Sequence, residues 1–385
     1  MGLLRLLLAL SVELYHGGAK VQMVGGWRAV QVFYLISGFY MALILDEKYN
    51  KTSYSTFLVN RALRLYPLYF LSLGFMGLRL FASYVRNVNC RYYFPLCGMI
   101  HWNHTLTIVF IAFTQLALIG QDWLFFLKLT PDGALRGTRN GLADTLRASD
   151  FNFNPVAWTL GLELSFYILA PLLLKRSIKF LAAAILGCFL MRAYLYFGLG
   201  LDFMPWTYRF FPTELGIFLS GSLLYRVYGS RWFADFWSKW TGLGHFLALI
   251  PILGTVLFAR IERWLPFPTV PYYLFVALCI PFLFSVSRNL SLDRRLGELS
   301  FPIYLFHPGI AGIMRGLRLP NVYLQVGVTI LASMLLVRFV VIPIDKLRQK
   351  RLERSKSHRN KFPPSIRSNL AGAPAKGPPA VQIKS

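Results

Sequence analysis

Residues 321–343 read NVYLQVGVTILASMLLVRFVVIP, an apolar run with a single charged side chain, Arg338. A helix rising about 1.5 Å per residue over such a stretch spans the roughly 30 Å hydrocarbon core of a bilayer. Comparable runs recur at approximately 3–17, 28–45, 62–84, 104–127, 156–174, 179–199, 208–228, 242–259, 269–287 and 298–315. The whole chain agrees: 56% of its 385 residues are hydrophobic and 15% charged, whereas an ordinary soluble domain carries roughly a quarter charged residues. Mean hydropathy is +0.50. A soluble globule is excluded. Strands of an outer-membrane barrel would alternate apolar and polar side chains, and these runs do not alternate. The fold class read from the sequence is therefore an all-α polytopic membrane bundle.

The formal charge of +25 is set by topology. From Lys346 to the C-terminus stand eleven basic residues against Glu353 alone, the cytoplasmic bias of a membrane protein. Nucleic acid is not expected as a partner, because no recognition fold accompanies the charge. The basic loop from Lys48 to Arg64 and the tail after Lys346 belong on one side, which requires an even number of crossings between them. Nine candidate runs lie there. Treating 104–127 as re-entrant or interfacial restores parity and predicts ten transmembrane helices with both termini cytoplasmic. The membrane domain is expected over 1–345 and a basic, disordered tail over 346–385. The first run carries Arg5, Glu13 and His16 and no cleavage site follows it, so it is expected to stay as the first span. Four cysteines make no disulfide scaffold or metal cluster; Cys90 and Cys97, close together in a polar loop, are placed for one bridge if that loop faces an oxidising compartment.

Ionisable residues inside spans are costly, at about 2.5 to 3.5 kcal/mol on insertion scales, so each is a candidate site residue. In the first run, Arg5 and His16 are eleven residues apart and return to nearly one helical face, about 16 Å apart. Glu13 is expected one turn below His16, where a carboxylate would fix the imidazole tautomer of a general base. A plain helix end, with Arg5 and His16 marking the two interfaces, fits the same spacing. Arg61 and Arg64, one turn apart, suit either a phosphate clamp or a positive-inside anchor. Thr159, Glu163 and Tyr167 recur every four residues as a polar stripe that must face protein or water. Ser300, Tyr304 and His307 share helical spacing, and Pro308 frees backbone groups beside them, as is tolerated along a cavity. Glu214 is a further buried acid with no role assigned.

Taken in order, these motifs resemble the acyltransferase 3 family of integral-membrane acyltransferases. The motifs are Arg5 with ten residues to His16, Val32-Phe-Tyr-Leu-Ile-Ser37-Gly38-Phe, Arg61-Ala-Leu-Arg64-Leu-Tyr66-Pro67, Trp158-Thr159-Leu-x-x-Glu163, and Ser300-x-x-x-Tyr304-x-x-His307. The resemblance runs over about residues 3–343 and implies ten spans. It implies transfer of an acyl group, usually acetyl, from cytoplasmic acyl-CoA to a hydroxyl of an extracytoplasmic glycan or lipid-linked sugar. Acyl-CoA, as a donor substrate with no permanently bound cofactor, a glycan or glycolipid acceptor and membrane lipid are then the expected partners. In a bacterial chain the location implied is the cytoplasmic membrane. His16, Glu13, Glu163 and His307 are the catalytic candidates; Arg5, Arg61 and Arg64 the donor-binding ones; Trp158, Thr159 and Tyr304 the groups for substrate or oxyanion. The chain departs from the family at its last span, which reads Val341-Ile342-Pro343-Ile344-Asp345 where the family often has a Glu-Pro pair. A transporter or flippase of a sugar-linked lipid would also line a cavity with His, Glu and Arg, and acceptor-dependent acyl-CoA consumption separates the two.

Overall fold

The computed structural model describes residues 1–50, 52–85, 105–264 and 269–360. Helix α1 spans Gly2–His16, α2 Gly26–Glu47 and α3 Tyr54–Val85. A short α4, Thr105–Ala117, precedes a hairpin of β1, Leu127–Leu129, and β2, Leu135–Gly137, in which Lys128 faces Arg136. There follow α5 (Trp158–Leu173), α6 (Ile178–Ala193), α7 (Phe211–Tyr228), α8 (Arg231–Lys239) and α9 (Thr241–Ile261). The chain closes with α10 (Thr269–Ser287), α11 (Ser291–Gly316), α12 (Val322–Leu336) and α13 (Ile342–Asn360). This is an all-α membrane protein whose strands, among the described residues, are confined to that small hairpin.

Six of these helices are long and apolar enough to cross a membrane: Gly26–Glu47, Tyr54–Ala82, Ile178–Gly198, Thr241–Trp264, Thr269–Ser287 and the continuous Val322–Lys356. The expected spans that fall short do so for a physical reason. Helix α1 has 15 residues and α5 has 16, while α11, past its charged first turns, still carries Ser300, Pro302, Tyr304, His307, Pro308 and Arg315. Helices α1, α5, α7 and α11 lie inside the bundle, where a polar side chain meets protein or a cavity, so they are not selected for uniform hydrophobicity. The lipid-facing helices are: Phe189, Leu190 and Phe197 on the Ile178–Gly198 helix are all exposed.

The run 104–127 does not form one helix. Its described helical part, the 13-residue α4, is about 20 Å long by helical rise. It stops at Leu118, whose φ of 64° is left-handed, followed by Gly120 at 83°. The segment is stitched to the bundle on both sides of this stop: Tyr69 Oη donates to the Gln115 carbonyl at 2.6 Å, Gln121 Nε2 donates to Tyr69 Oη at 2.6 Å, and farther on Asn154 Nδ2 donates to the Leu305 carbonyl at 2.9 Å. Cys90 and Cys97, with their possible bridge, lie outside the described residues. The tail boundary needs correction: α13 runs through 346 to Asn360. Arg348 Nε donates to the Asn60 carbonyl at 3.0 Å, and Arg348 also pairs with Asp345. Those bonds to α3 and within the helix hold residues expected to be disordered; 361–385 lie outside the described residues.

Two features fix the inner helices. Gly38 on α2 faces the Phe218 carbonyl of α7, and Gly221 of α7 faces the Leu35 carbonyl, so a Cβ at either would run into backbone. Gly38→Leu is expected to cost about 1–3 kcal/mol or more through overpacking, read as a fall in the detergent-solubilised melting temperature; an unchanged melt would show the helices can separate freely. Glu214 supplies the second. It accepts from Gln31 Nε2 at 3.0 Å and pairs with Arg192 at 2.7 Å, while Tyr273 Oη donates to Gln31 Oε1. The acid left without a role in the sequence ties α2, α6, α7 and α10 together.

Candidate functional site

The bundle has a histidine pair near one end and a basic cavity opening toward the other. His16 ends α1 and is exposed; His307, on α11, is 1% exposed. Their rings stack 5.2 Å apart, with His16 Nδ1 2.9 Å from His307 Nε2. The tautomers follow from the neighbours. His307 Nδ1 lies 3.3 Å from the Ile303 carbonyl oxygen, which only accepts, so Nδ1 carries the hydrogen and Nε2 the lone pair. His16 Nδ1 must then donate to His307, which leaves the lone pair of His16 on its exposed side, at Nε2. A nitrogen oriented by a second group in this way has the arrangement of a general base.

Glu13 does not take the place expected for it. It is fully buried, and its Oε1 accepts from Gln325 Nε2 at 3.0 Å and Thr329 Oγ1 at 2.6 Å, both on α12. Three residues from His16 along a helix is close in sequence, but the carboxylate turns to α12 and His307 occupies the position beside the imidazole. Glu13→Gln keeps an acceptor for both α12 donors and puts the amide where Oε2 has no partner among the described residues. Activity and its pH profile should be unchanged within about twofold; a loss of 10²-fold would restore Glu13 to the proton path.

The cavity, about 760 Å³, extends from Lys48 and Arg348 to Thr159 and Tyr304. Arg5, Arg61, Arg64, Arg288 and Arg294 line it too. Arg61 is 4% exposed with its Nε unpartnered among the described residues, and its guanidinium lies 5.9 Å from the rings of Tyr49, Phe57 and Tyr167. Acids on the wall are partly compensated. Asp293, in the first turn of α11, pairs with the Met1 ammonium at 2.8 Å and accepts from the Gly2 and Leu3 amides. Burial would raise that carboxyl, but these donors outweigh it and hold it below the usual carboxylate range. The result is a confined space with excess positive charge and unspent guanidinium donors, suited to a phosphate-bearing ligand.

The stripe on α5 faces this space. Glu163 accepts from Ser37 Oγ at 2.9 Å and from Tyr167 Oη, among the field of Arg5 and Arg64. It therefore belongs with the arginines and not with the histidines. Thr159 Oγ1 and Tyr304 Oη are 2.9 Å apart, and Thr159 also donates to the Val156 carbonyl at 2.9 Å. Tyr304 lies between the two halves: it lines the cavity, and its ring centre is 6.2 Å from that of His307. Trp158, 3% exposed, is behind this layer against Phe125 and Tyr208. The sequence reading passed over Arg209, stacked on Phe125 and Trp158, and Arg348, assigned to the tail. Arg209 stands at the very start of the run 208–228 and Arg348 in a basic stretch, and neither has a visible partner until the fold brings distant segments around it.

Comparison with known proteins adds an independent line. The model of an acyltransferase domain family matches residues 3–343. Nodulation protein 10 of Rhizobium leguminosarum bv. viciae is 26% identical over 288 residues, covering 72% of this chain and 70% of that protein. No solved structure matches the chain.

Proposed function

Given that this chain belongs to the acyltransferase 3 family, we propose that it moves an acyl group, acetyl in the first instance, from cytoplasmic acyl-CoA to a hydroxyl of an extracytoplasmic glycan or lipid-linked sugar. Membrane acyltransferase is the activity the family supports, and donor, acceptor and sidedness belong to the proposal. The observation that carries it is the joining of a basic cavity to an exposed histidine through the Thr159–Tyr304 layer and the His307 ring that stacks on His16. Acyl-CoA docks with its phosphates on Arg5, Arg61 and Arg64, and its pantetheine arm reaches that layer. His16 Nε2 takes the proton of the acceptor hydroxyl as its oxygen attacks the thioester carbonyl. The C–S bond breaks, and the imidazolium returns the proton to the CoA thiolate. His307 accepts from His16 Nδ1–H and holds the charged ring in place, and Tyr304 Oη, held by Thr159 Oγ1, turns its hydrogen to the developing oxyanion. In a bacterial cell the protein would sit in the cytoplasmic membrane, with α1, α5, α7 and α11 completing ten spans beside the six apolar helices.

Mass spectrometry of surface glycans and glycolipids, with and without the protein, should reveal a difference of one acyl group. Purified protein should consume acyl-CoA only when acceptor is supplied. Acceptor flipping without acyl-CoA consumption would replace this reading by a flippase. Cysteine accessibility tests the topology: Lys48, Lys239 and both termini are expected inside, Asp144 outside. A cytoplasmic Asp144 would mean an even number of crossings before it, with 104–127 as the fourth, and would overturn the ten-span count.

A further inference from the structure

Arg209 stands two residues ahead of α7, in the connection from α6. Its guanidinium carbon is 3.7 Å from the ring centre of Phe125, 4.6 Å from that of Trp158 and 5.9 Å from that of Tyr208. The rings brace one another, with Trp158 edge-on to Phe125 at 5.9 Å and to Tyr208 at 5.0 Å. Three segments of chain thus hold one cation by its faces. Its edges, which carry the N–H donors, are left over. Among the described residues no acid lies within ion-pair distance of Arg209, and its buried Nε meets no acceptor.

Other partly buried arginines are treated differently. Arg192 has Glu214 and two carbonyls, Arg28 has Glu262 and Thr269, and Arg226 has the carbonyls of Leu174 and Arg176. A half-buried guanidinium whose Nε is shut off from water and which has no counter-charge is costly, and an aromatic cage needing only a filler would take methionine or leucine at no such cost. A buried Nε without an acceptor among the described residues is also found at Arg192, whose terminal nitrogens are spent on Glu214 and two carbonyls, and at Arg61, in the cavity already assigned to the donor. Arg209 does not line that cavity. It touches Trp158, whose neighbour Thr159 bonds Tyr304, and Tyr304 adjoins the histidine pair. This places it behind the Thr159–Tyr304 layer, toward the end of the bundle where His16 is exposed.

We propose that Arg209 binds an oxyanionic group, carboxylate or phosphate, of the acceptor, so that the acylated hydroxyl belongs to a negatively charged glycan or lipid-linked sugar. The planar fork takes two oxygens of such a group while the rings fix its direction. This rests on the acyltransferase reading above and adds to it the charge of the acceptor.

The test begins with the acyl-modified product isolated from cells that carry the protein. Mild base removes the acyl group and returns the acceptor for assay with acetyl-CoA and membranes holding the full chain. The product is expected to bear a carboxylate or phosphate near the acylated sugar. Methyl esterification of the acceptor distinguishes the first, and dephosphorylation the second, by abolishing use. Arg209→Gln should raise the acceptor KM roughly 10- to 100-fold, with the acetyl-CoA KM unchanged. Arg209→Lys should recover part of the loss. Arg209→Met, which refills the cage without charge, should behave like Arg209→Gln and controls for packing. A neutral product, or an unchanged acceptor KM in both Arg209→Gln and Arg209→Met, overturns the proposal. If cells with and without the wild-type chain show no acyl mass difference, it is the acyltransferase reading that fails.

Discussion

His16→Gln in a well-inserted protein should lower acyl transfer by about 10² to 10⁴, the range a positioned general base contributes, while leaving acyl-CoA binding intact. The stacked pair extends this expectation to a residue on another helix. His307 sets the tautomer of His16 through the 2.9 Å contact, so His307→Ala should lose most of the same factor with little change in donor affinity. The double variant should cost little beyond His16→Gln alone, because groups that act as a unit are not additive. Single-turnover transfer and equilibrium binding of acyl-CoA, measured side by side, check both halves. Full activity in His16→Gln would remove the base assignment and leave His307 to be tested in that role.

Arg61→Gln combined with Arg64→Gln is expected to raise the donor KM by about 10² or more, with kcat and acceptor KM changed much less. Each lost charge-assisted hydrogen bond is worth about 1.5–3 kcal/mol, roughly tenfold or more per residue, in a cavity that screens poorly. Lysine at both positions should rescue only in part, since an ammonium lacks the bidentate fork. Arg348→Gln, at the far end of the cavity and already paired with Asp345, should have a smaller effect of the same kind. A donor KM that stays put in the double variant, with normal membrane insertion, would return Arg61 and Arg64 to the role of topological anchors.

The reach of the sequence can be judged residue by residue. Glu163 and Thr159 recur every four residues, and that periodicity alone required a polar face directed away from lipid; both line the cavity. Glu13 shows the opposite case. Helical spacing placed it near His16, but spacing along one helix says nothing about which neighbour offers better hydrogen-bond donors, and α12 offers two. Arg348 was read with the basic tail because charge runs look alike whether solvated or docked; its bond to the Asn60 carbonyl needs α3 alongside. Hydropathy marks α2 although most of it is buried, and misses α1, α5, α7 and α11, whose short length or inward polar residues interrupt the apolar run.

By itself, then, the sequence determined the membrane class, the helical content and the identity of most polar residues inside the bundle, because burying a charge in lipid is costly enough to be visible in composition. Which of those residues meet was decided by tertiary structure alone. His16 and His307 are 291 positions apart in the chain, and the Arg209 cage draws on Phe125, Trp158 and Tyr208 from three separate segments. Such meetings depend on the packing of helices such as α2 and α7, whose backbones come together at Gly38 and Gly221, and no periodicity within a single helix encodes a partner on another.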